Sequence, residues 1–300
     1  MEMEEIIIPS RDLYPLSVRI YEAKEPKAIV KIIHGMEEHQ GRYQYFAEAL
    51  QKAGYTVVTS DMRGHGKSAK KLSHIAKKDG HKLLIQDEEV MREYIESRYP
   101  NIPIILFAHS MGTIIARNVL QKDSKKYHAV ALSGYPNTPS ITGMGILMDD
   151  VIRLFKGGEG YSKTLTNACM GPFEKAVNNP KTKLDWLSYN EKNVEAYIKD
   201  PLCGEEFTIG SYNALLHLTN DMHKVSRYKD VNNDLPILLI SGEDDPCTGG
   251  EKGREDSFNV LKKAGFKNIE VEVIEHNRHE ILNEDSKDKT IQDIINFFNK

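Results

Sequence analysis

Three hundred residues could form two domains, yet large single α/β domains run this long, and 40% hydrophobic residues supply a sizeable core. Charged residues at 28%, both signs mixed, and a formal net charge of −4 give no electrostatic reason to expect a nucleic-acid partner. No apolar run approaches the ~20 residues of a membrane span.

The N-terminal Met1-Glu2-Met3-Glu4-Glu5 lacks the charged-then-apolar pattern of a secretion signal. Cys169, Cys203 and Cys247 are odd in number, widely spaced and without a CxxC pair. These features predict free thiols in a reducing cytoplasm.

Glu5-Ile8 and Leu16-Glu22 read as an opening antiparallel strand pair, with Pro9, Asp12 and Pro15 between them. Ala28-Ile33 is nearly all apolar, the mark of a strand covered on both faces, and ends in His34-Gly35-Met36. Tyr43, Phe46, Ala47 and Leu50 repeat at helical spacing, and Gly54 closes that helix. Tyr55-Ser60 is the next buried strand, followed by Asp61-Met62-Arg63-Gly64-His65-Gly66-Lys67-Ser68. A helix from about His81 to Arg98 precedes the strand that starts at Ile104. That strand stops at Ala108, Ser110 follows, and an apolar-periodic helix begins at once: strand, sharp turn, helix, with a hydroxyl at the apex. His128-Leu132 is another strand.

Alternation breaks between about Pro136 and Asp234, where only helical patterns occur: Ile141 to Phe155, Phe173 to Val177, Asn190 to Ile198, and Phe207 to His223. The first is apolar around much of its circumference, which suits a helix packed on the body or a lid facing substrate. The sheet resumes with Pro236-Ile240, a helix around Asp256-Ala264, the strand Ile269-Ile274 and the helix Thr290-Phe298. Strands alternating with helices predict an α/β fold: a mostly parallel sheet, helices on both faces, and a helical insertion. The expected division is a core of residues 1–135 and 235–300 and a cap of 136–234. Right-handed crossovers place the strand ends, and their loops, along one edge.

A serine hydroxyl becomes a nucleophile only when a base takes its proton and an acid orients the base. In a strand–elbow–helix architecture the partners follow in the order serine, acid, histidine. Ser110 is followed by Asp244 and Asp245 after one late strand, and by His276 and His279 after the last. Asp245 is favoured because Gly242 and Pro246 frame a turn that re-aims it, and His279 because it lies further along the loop. Backbone N–H donors for an oxyanion are expected from Met111, directly after Ser110, and from Met36, after the early strand.

The motifs His34-Gly35-Met36-Glu37-Glu38-His39, Gly41-Arg42-Tyr43, Asp61 to Ser68, His109-Ser110-Met111-Gly112, Gly242 to Pro246 and His279 to Glu284 carry a resemblance. The chain resembles the α/β-hydrolase superfamily, and within it the monoacylglycerol lipase and lysophospholipase-like branch, also filed with the serine aminopeptidases. Asp185-Trp186-Leu187-Ser188 and Asp200-Pro201-Leu202-Cys203-Gly204 resemble that branch's cap. The resemblance implies Ser110 as nucleophile, Asp245 as acid, His279 as base, and the Met36 and Met111 amides as oxyanion hole. Two departures stand out: Ala108 where the elbow usually begins with Gly, and Cys247 where an aliphatic residue is common.

Gly64-His65-Gly66-Lys67-Ser68 mimics the tail of a phosphate-binding loop, but Asp61 replaces the first Gly and would repel phosphate. Position 283 is Asn, so His279-Glu280 opens no zinc helix, and no cofactor or metal is expected. The expected function is hydrolysis of a lipid-like carboxylic ester, monoacylglycerol or lysophospholipid, through an acyl-enzyme. Met144, Leu147, Met148 and Ile152 are expected to line the acyl site, and the cap to touch membrane surfaces transiently. One alternative is an aminopeptidase, with Glu205 and Glu206 or Asp149 and Asp150 holding an ammonium. The other is a catalytically silent binding protein.

Overall fold

The computed structural model describes residues 3–137 and 142–300, with Thr142 and Met144 described by backbone alone. Met1, Glu2 and Ile141, named above, lie outside the described residues, as does the side chain of Met144.

The opening strands β1 (Met3–Pro9) and β2 (Pro15–Tyr21) pair antiparallel, and β2 pairs antiparallel with β4 (Thr56–Ser60). Beyond them β3 (Ile29–Ile33), β5 (Ile104–His109), β6 (Ala129–Ser133), β7 (Ile237–Gly242) and β8 (Ile269–Ile274) run parallel. The order is β1-β2-β4-β3-β5-β6-β7-β8. Strands β3 to β7 are buried along their whole length, as expected of largely apolar runs, with Lys31 of β3 buried too. The exposed edge strand β8 carries Glu270 and Glu272, charges that discourage pairing with another chain.

Two apolar layers cover the sheet. On one face α1 (Gln44–Lys52) and α9 (Lys287–Phe298) bury Phe46, Leu50, Ile291 and Ile294, with Phe46 against Phe107 at 4.7 Å between ring centroids. On the other lie α2 (Gly80–Arg98), α3 (Met111–Asp123) and α8 (Gly250–Ala264). The helix α8 starts six residues before the predicted Asp256. Its first turn carries Gly250 and Gly253, and at Gly253 the backbone lies too close to Thr248 for a side chain.

The insertion holds α4 (Thr142–Lys156), α5 (Lys163–Glu174), α6 (Glu191–Lys199) and α7 (Ile209–Met222). The helix expected at Phe173–Val177 lies instead upstream, as α5. Ser162 caps it by accepting from Leu165 N, and Pro172 falls in its last turn. Its Thr, Asn, Gly and Pro residues hid it from propensity. Helix α7 buries Tyr212, Ala214, Leu218 and Met222 in the same apolar layer as α2 and α3, so in packing it belongs with the sheet. No helix among the described residues is long and apolar enough to cross a membrane.

Candidate active site

The turn after β5 places Ser110 at φ 51°, ψ −121°, a left-handed conformation that costs a non-glycine residue energy. It persists because the surroundings fix it: Ser110 N donates to Ser133 O (3.0 Å), and Ser110 O accepts from Thr113 N and Oγ1. Gly112 is required at the crossing, since a Cβ there would sit 2.7 Å from the His34 carbonyl oxygen. Ala108 is fully buried in β5, and the elbow forms around its extra methyl.

Asp245 and His279 converge on this serine. His279 Nε2 lies 2.8 Å from Ser110 Oγ, and Nδ1 lies 3.0 Å from both Asp245 oxygens. The carboxylate fixes the tautomer: Nδ1–H donates to Asp245, leaving Nε2 to accept from the hydroxyl. Gly242 lets the loop bearing His279 lie directly on the end of β7, where a side chain would strike the Asn277 and Arg278 carbonyls. Asp245 and His279 are each 2% exposed. Their rivals point elsewhere. Asp244 accepts from the Tyr189 hydroxyl, and exposed His276 stacks on the Tyr189 ring.

Burial disfavours the imidazolium of His279, but the Asp245 carboxylate outweighs it and holds the His279 pKa above its ordinary 6.5. A base must be neutral to accept a proton, so activity that depends on His279 as base is expected to fall on the acid side with a midpoint above 6.5. A kcat/KM profile against pH with a water-soluble ester checks this; a midpoint at or below 6.5 contradicts it.

Met36, after β3, and Met111, opening α3, both border the cavity at Ser110, and neither backbone N–H donates to an acceptor among the described residues. Two unspent donors beside a serine hydroxyl are what an oxyanion formed there would require.

The cavity has a volume of about 160 Å³. Its apolar wall comes from α5 and the segment after it, through Met170, Phe173, Trp186 and Leu187, and from Leu215 and Leu216 of α7. The residues expected from the sequence to line an acyl site lie elsewhere. Leu147 points to solvent, 69% exposed, while Met148 and Ile152 pack onto the main core, and none of the three borders the cavity. An amphipathic pattern shows that a helix has an apolar face, not what the face meets.

The polar end is a buried ionic cluster that sequence reasoning did not single out. Arg42 donates to Glu38 (2.9 Å), Glu280 (2.7 Å) and Asn193 (3.0 Å), and lies over the Tyr197 ring at 4.8 Å. Glu38, Arg42 and Glu280 all lie in the motifs above, but only Glu38 is near Arg42 in sequence; Asn193 and Glu280 reach it only through the fold. His109 packs tilted against His279, with ring centroids 4.8 Å apart, and burial together with that neighbour pushes its pKa down to about 4, so it stays neutral.

Other motif residues have structural roles. His34 Nε2 accepts from Met62 N (3.0 Å). Asp61 accepts from Gln40 N and Lys67 N, which spends the Lys67 amide of the phosphate-loop mimic on a carboxylate. Among the described residues, two groups bring metal-ligating atoms within 4.8 Å of one another: His39, Asp200 and Cys203, and Asp245, Cys247 and His279. In the first, His39 Nδ1 accepts from Gly41 N and Nε2–H donates to Asp200 (2.9 Å), so no imidazole lone pair is free. In the second, the imidazole serves Ser110 and Asp245.

A serine elbow, an acid and a histidine at the carboxyl edge of this eight-stranded sheet define an α/β-hydrolase. The chain belongs to the family described as serine aminopeptidase, S33, which matches residues 24–286. It is 23% identical to a monoacylglycerol lipase of Mycolicibacterium smegmatis over 277 residues, covering 91% of this chain and 88% of that one. It is 26% identical to the monoglyceride lipase of Homo sapiens over 235 residues, covering 73% of this chain and 66% of that one. Among solved structures, a highly thermostable carboxyl esterase from Bacillus coagulans in complex with glycerol superposes at a TM-score of 0.90. It is 25% identical, covering 100% of this chain and 98% of that one.

Proposed function

We propose that the protein hydrolyses lipid-like carboxylic esters, monoacylglycerol above all, through an acyl-enzyme. The supporting observation is the hydrogen-bonded series Ser110–His279–Asp245 beside an apolar cavity with unspent amides. Ser110 Oγ attacks the acyl carbonyl while His279 Nε2 takes its proton, and the Met36 and Met111 N–H groups hold the oxyanion. His279 then delivers the proton to the departing alcohol. A water, deprotonated by the same nitrogen, releases the acid and restores Ser110. Asp245 keeps the imidazole in the productive tautomer throughout. The names of the monoacylglycerol lipase and carboxyl esterase relatives agree with this reading.

In this proposal the cap is the inserted segment ahead of α7, and the acyl chain lies along Met170, Phe173, Trp186 and Leu187. Helix α4 turns Leu147, Val151, Leu154 and Phe155 outward, a continuous exposed face suited to lipid surfaces. The acids named for an ammonium fit the aminopeptidase reading less well. Asp149 is buried against Asn213 (2.6 Å), Asp150 pairs with Arg153, and none of Asp149, Asp150, Glu205 and Glu206 borders the cavity.

A panel of glycerol esters of increasing acyl length, with an aminoacyl-naphthylamide alongside, tests the proposal. Turnover is expected to favour medium to long acyl chains by about tenfold or more over acetyl, at ~0.8 kcal/mol per buried methylene. Preference for the naphthylamide overturns it. Leu154→Ser with Phe155→Ser is expected to weaken turnover from vesicles while sparing dissolved short esters; equal loss on both contradicts the surface-contact part.

A further inference from the structure

Glu37 follows the oxyanion donor Met36, borders the cavity, and takes no part in the chemistry above. It adopts φ 55°, an unfavourable conformation for a side-chain-bearing residue, held by hydrogen bonds to the cap. Its carbonyl accepts from Gly204 N (2.9 Å) and the Tyr197 hydroxyl (2.7 Å). Its carboxyl accepts from Phe207 N (3.2 Å), and no cation among the described residues pairs with it. The other charges that bear on it are Glu205 and Glu206, both negative. Tyr212, fully buried and near the same carboxyl, has a hydroxyl with no partner among the described residues.

Adjacent Glu38 shows the contrast. It sits on Arg42, whereas Glu37 sits among carboxylates and a backbone amide. With the acyl chain assigned to Met170, Phe173, Trp186 and Leu187, the alcohol part of an ester held at Ser110 is left to the rest of the lining, which includes Glu37.

We propose that Glu37 is a specificity-determining residue that selects the charge of the ester's alcohol part, favouring cationic over neutral and neutral over anionic head groups. This rests on the ester-hydrolase reading. Ionised Glu37 attracts a cation and repels an anion across a cavity whose apolar wall screens little. Protonated, it donates a hydrogen bond and discriminates weakly. Burial, with Glu206 and Glu205 adding to it, pushes the Glu37 pKa up to about 8, so charge selection strengthens as pH rises through that value.

The test uses decanoyl esters of choline, of 3,3-dimethylbutanol (its uncharged isostere) and of isethionate, whose charges are fixed at all pH values used. The choline-to-isethionate ratio of kcat/KM is expected to rise about tenfold from about pH 6.5 to about pH 9.5 in the wild type. It is expected to stay flat in Glu37→Gln, with the neutral ester between the charged pair. Because a ratio is read within each enzyme, changes in His279 ionisation or in fold stability cancel. A flat wild-type ratio, or the same rise in Glu37→Gln, overturns the proposal while leaving the ester-hydrolase reading intact. No turnover of any ester by the wild type overturns both.

Discussion

Ser110→Ala is expected to lower ester turnover on the order of a millionfold, because the residual rate then comes only from the oxyanion donors and binding. The fold should survive. Ser110 is half-buried, and its Oγ makes one hydrogen bond, to His279 Nε2. Alanine keeps the Cβ and the backbone bonds from Ser110 N to Ser133 O and from Thr113 N to Ser110 O. Alanine bears the same positive φ, so the strain at the elbow is unchanged. The measurement pairs initial rates on a short p-nitrophenyl ester with the thermal unfolding midpoint. Activity within tenfold of wild type removes Ser110 from the chemistry. A large drop in the midpoint with the activity loss makes the serine structural instead.

Arg42→Ala is expected to destabilise the protein by about 3–5 kcal/mol, the usual consequence of leaving buried charge uncompensated. Burial pushes the carboxyls of Glu38 and Glu280 up, but the Arg42 guanidinium outweighs it and holds both below the usual range, Glu38 at about 2. Groups with depressed pKa values stabilise the fold fully above the unfolded carboxylate value of 4.5, and that contribution fades as pH falls towards the folded value. Without Arg42 the same carboxyls are favoured in their neutral forms. The gap between the wild-type and variant midpoints should therefore be widest at neutral pH and narrow on acidification below about pH 4.5. Thermal unfolding across that range reads this directly, and a gap constant with pH contradicts it. The cluster also ties Glu280, next to His279, to Asn193 of α6, so the loss of Arg42 is expected to loosen α6 and the His279 loop together.

Which parts of this site can be read from the chain depends on how local the determining contacts are. Ser110, Asp245 and His279 come within reach of sequence reading because each follows a strand of the parallel part of the sheet, buried for β5 and β7 and at the edge for β8, and such a sheet brings these ends to one edge. Gly112 and Gly242 signal backbone crossings for the same reason. The wall of the cavity is not legible in this way. Met170 and Phe173 lie on a helix whose start depends on Ser162 rather than on strong helix formers, and Leu215 and Leu216 belong to a helix that joins the sheet's core. Periodicity on α4 identified apolar residues correctly, but Leu147 faces water and Ile152 faces the core, a choice made by tertiary packing. Glu37 and Glu38 are identical neighbours in sequence. Arg42 beside one, and the Glu205–Glu206 segment beside the other, give them opposite electrostatics.

The most direct test of the account is the site of labelling by a fluorophosphonate, which forms a stable phosphonyl ester only with an activated serine. The folded protein is expected to gain the mass of one label, mapped to the peptide containing Ser110, with labelling slowed severely in His279→Ala. Absence of the adduct in folded protein, or equal labelling rates with and without His279, contradicts the central claim that Ser110 is a nucleophile activated by that histidine.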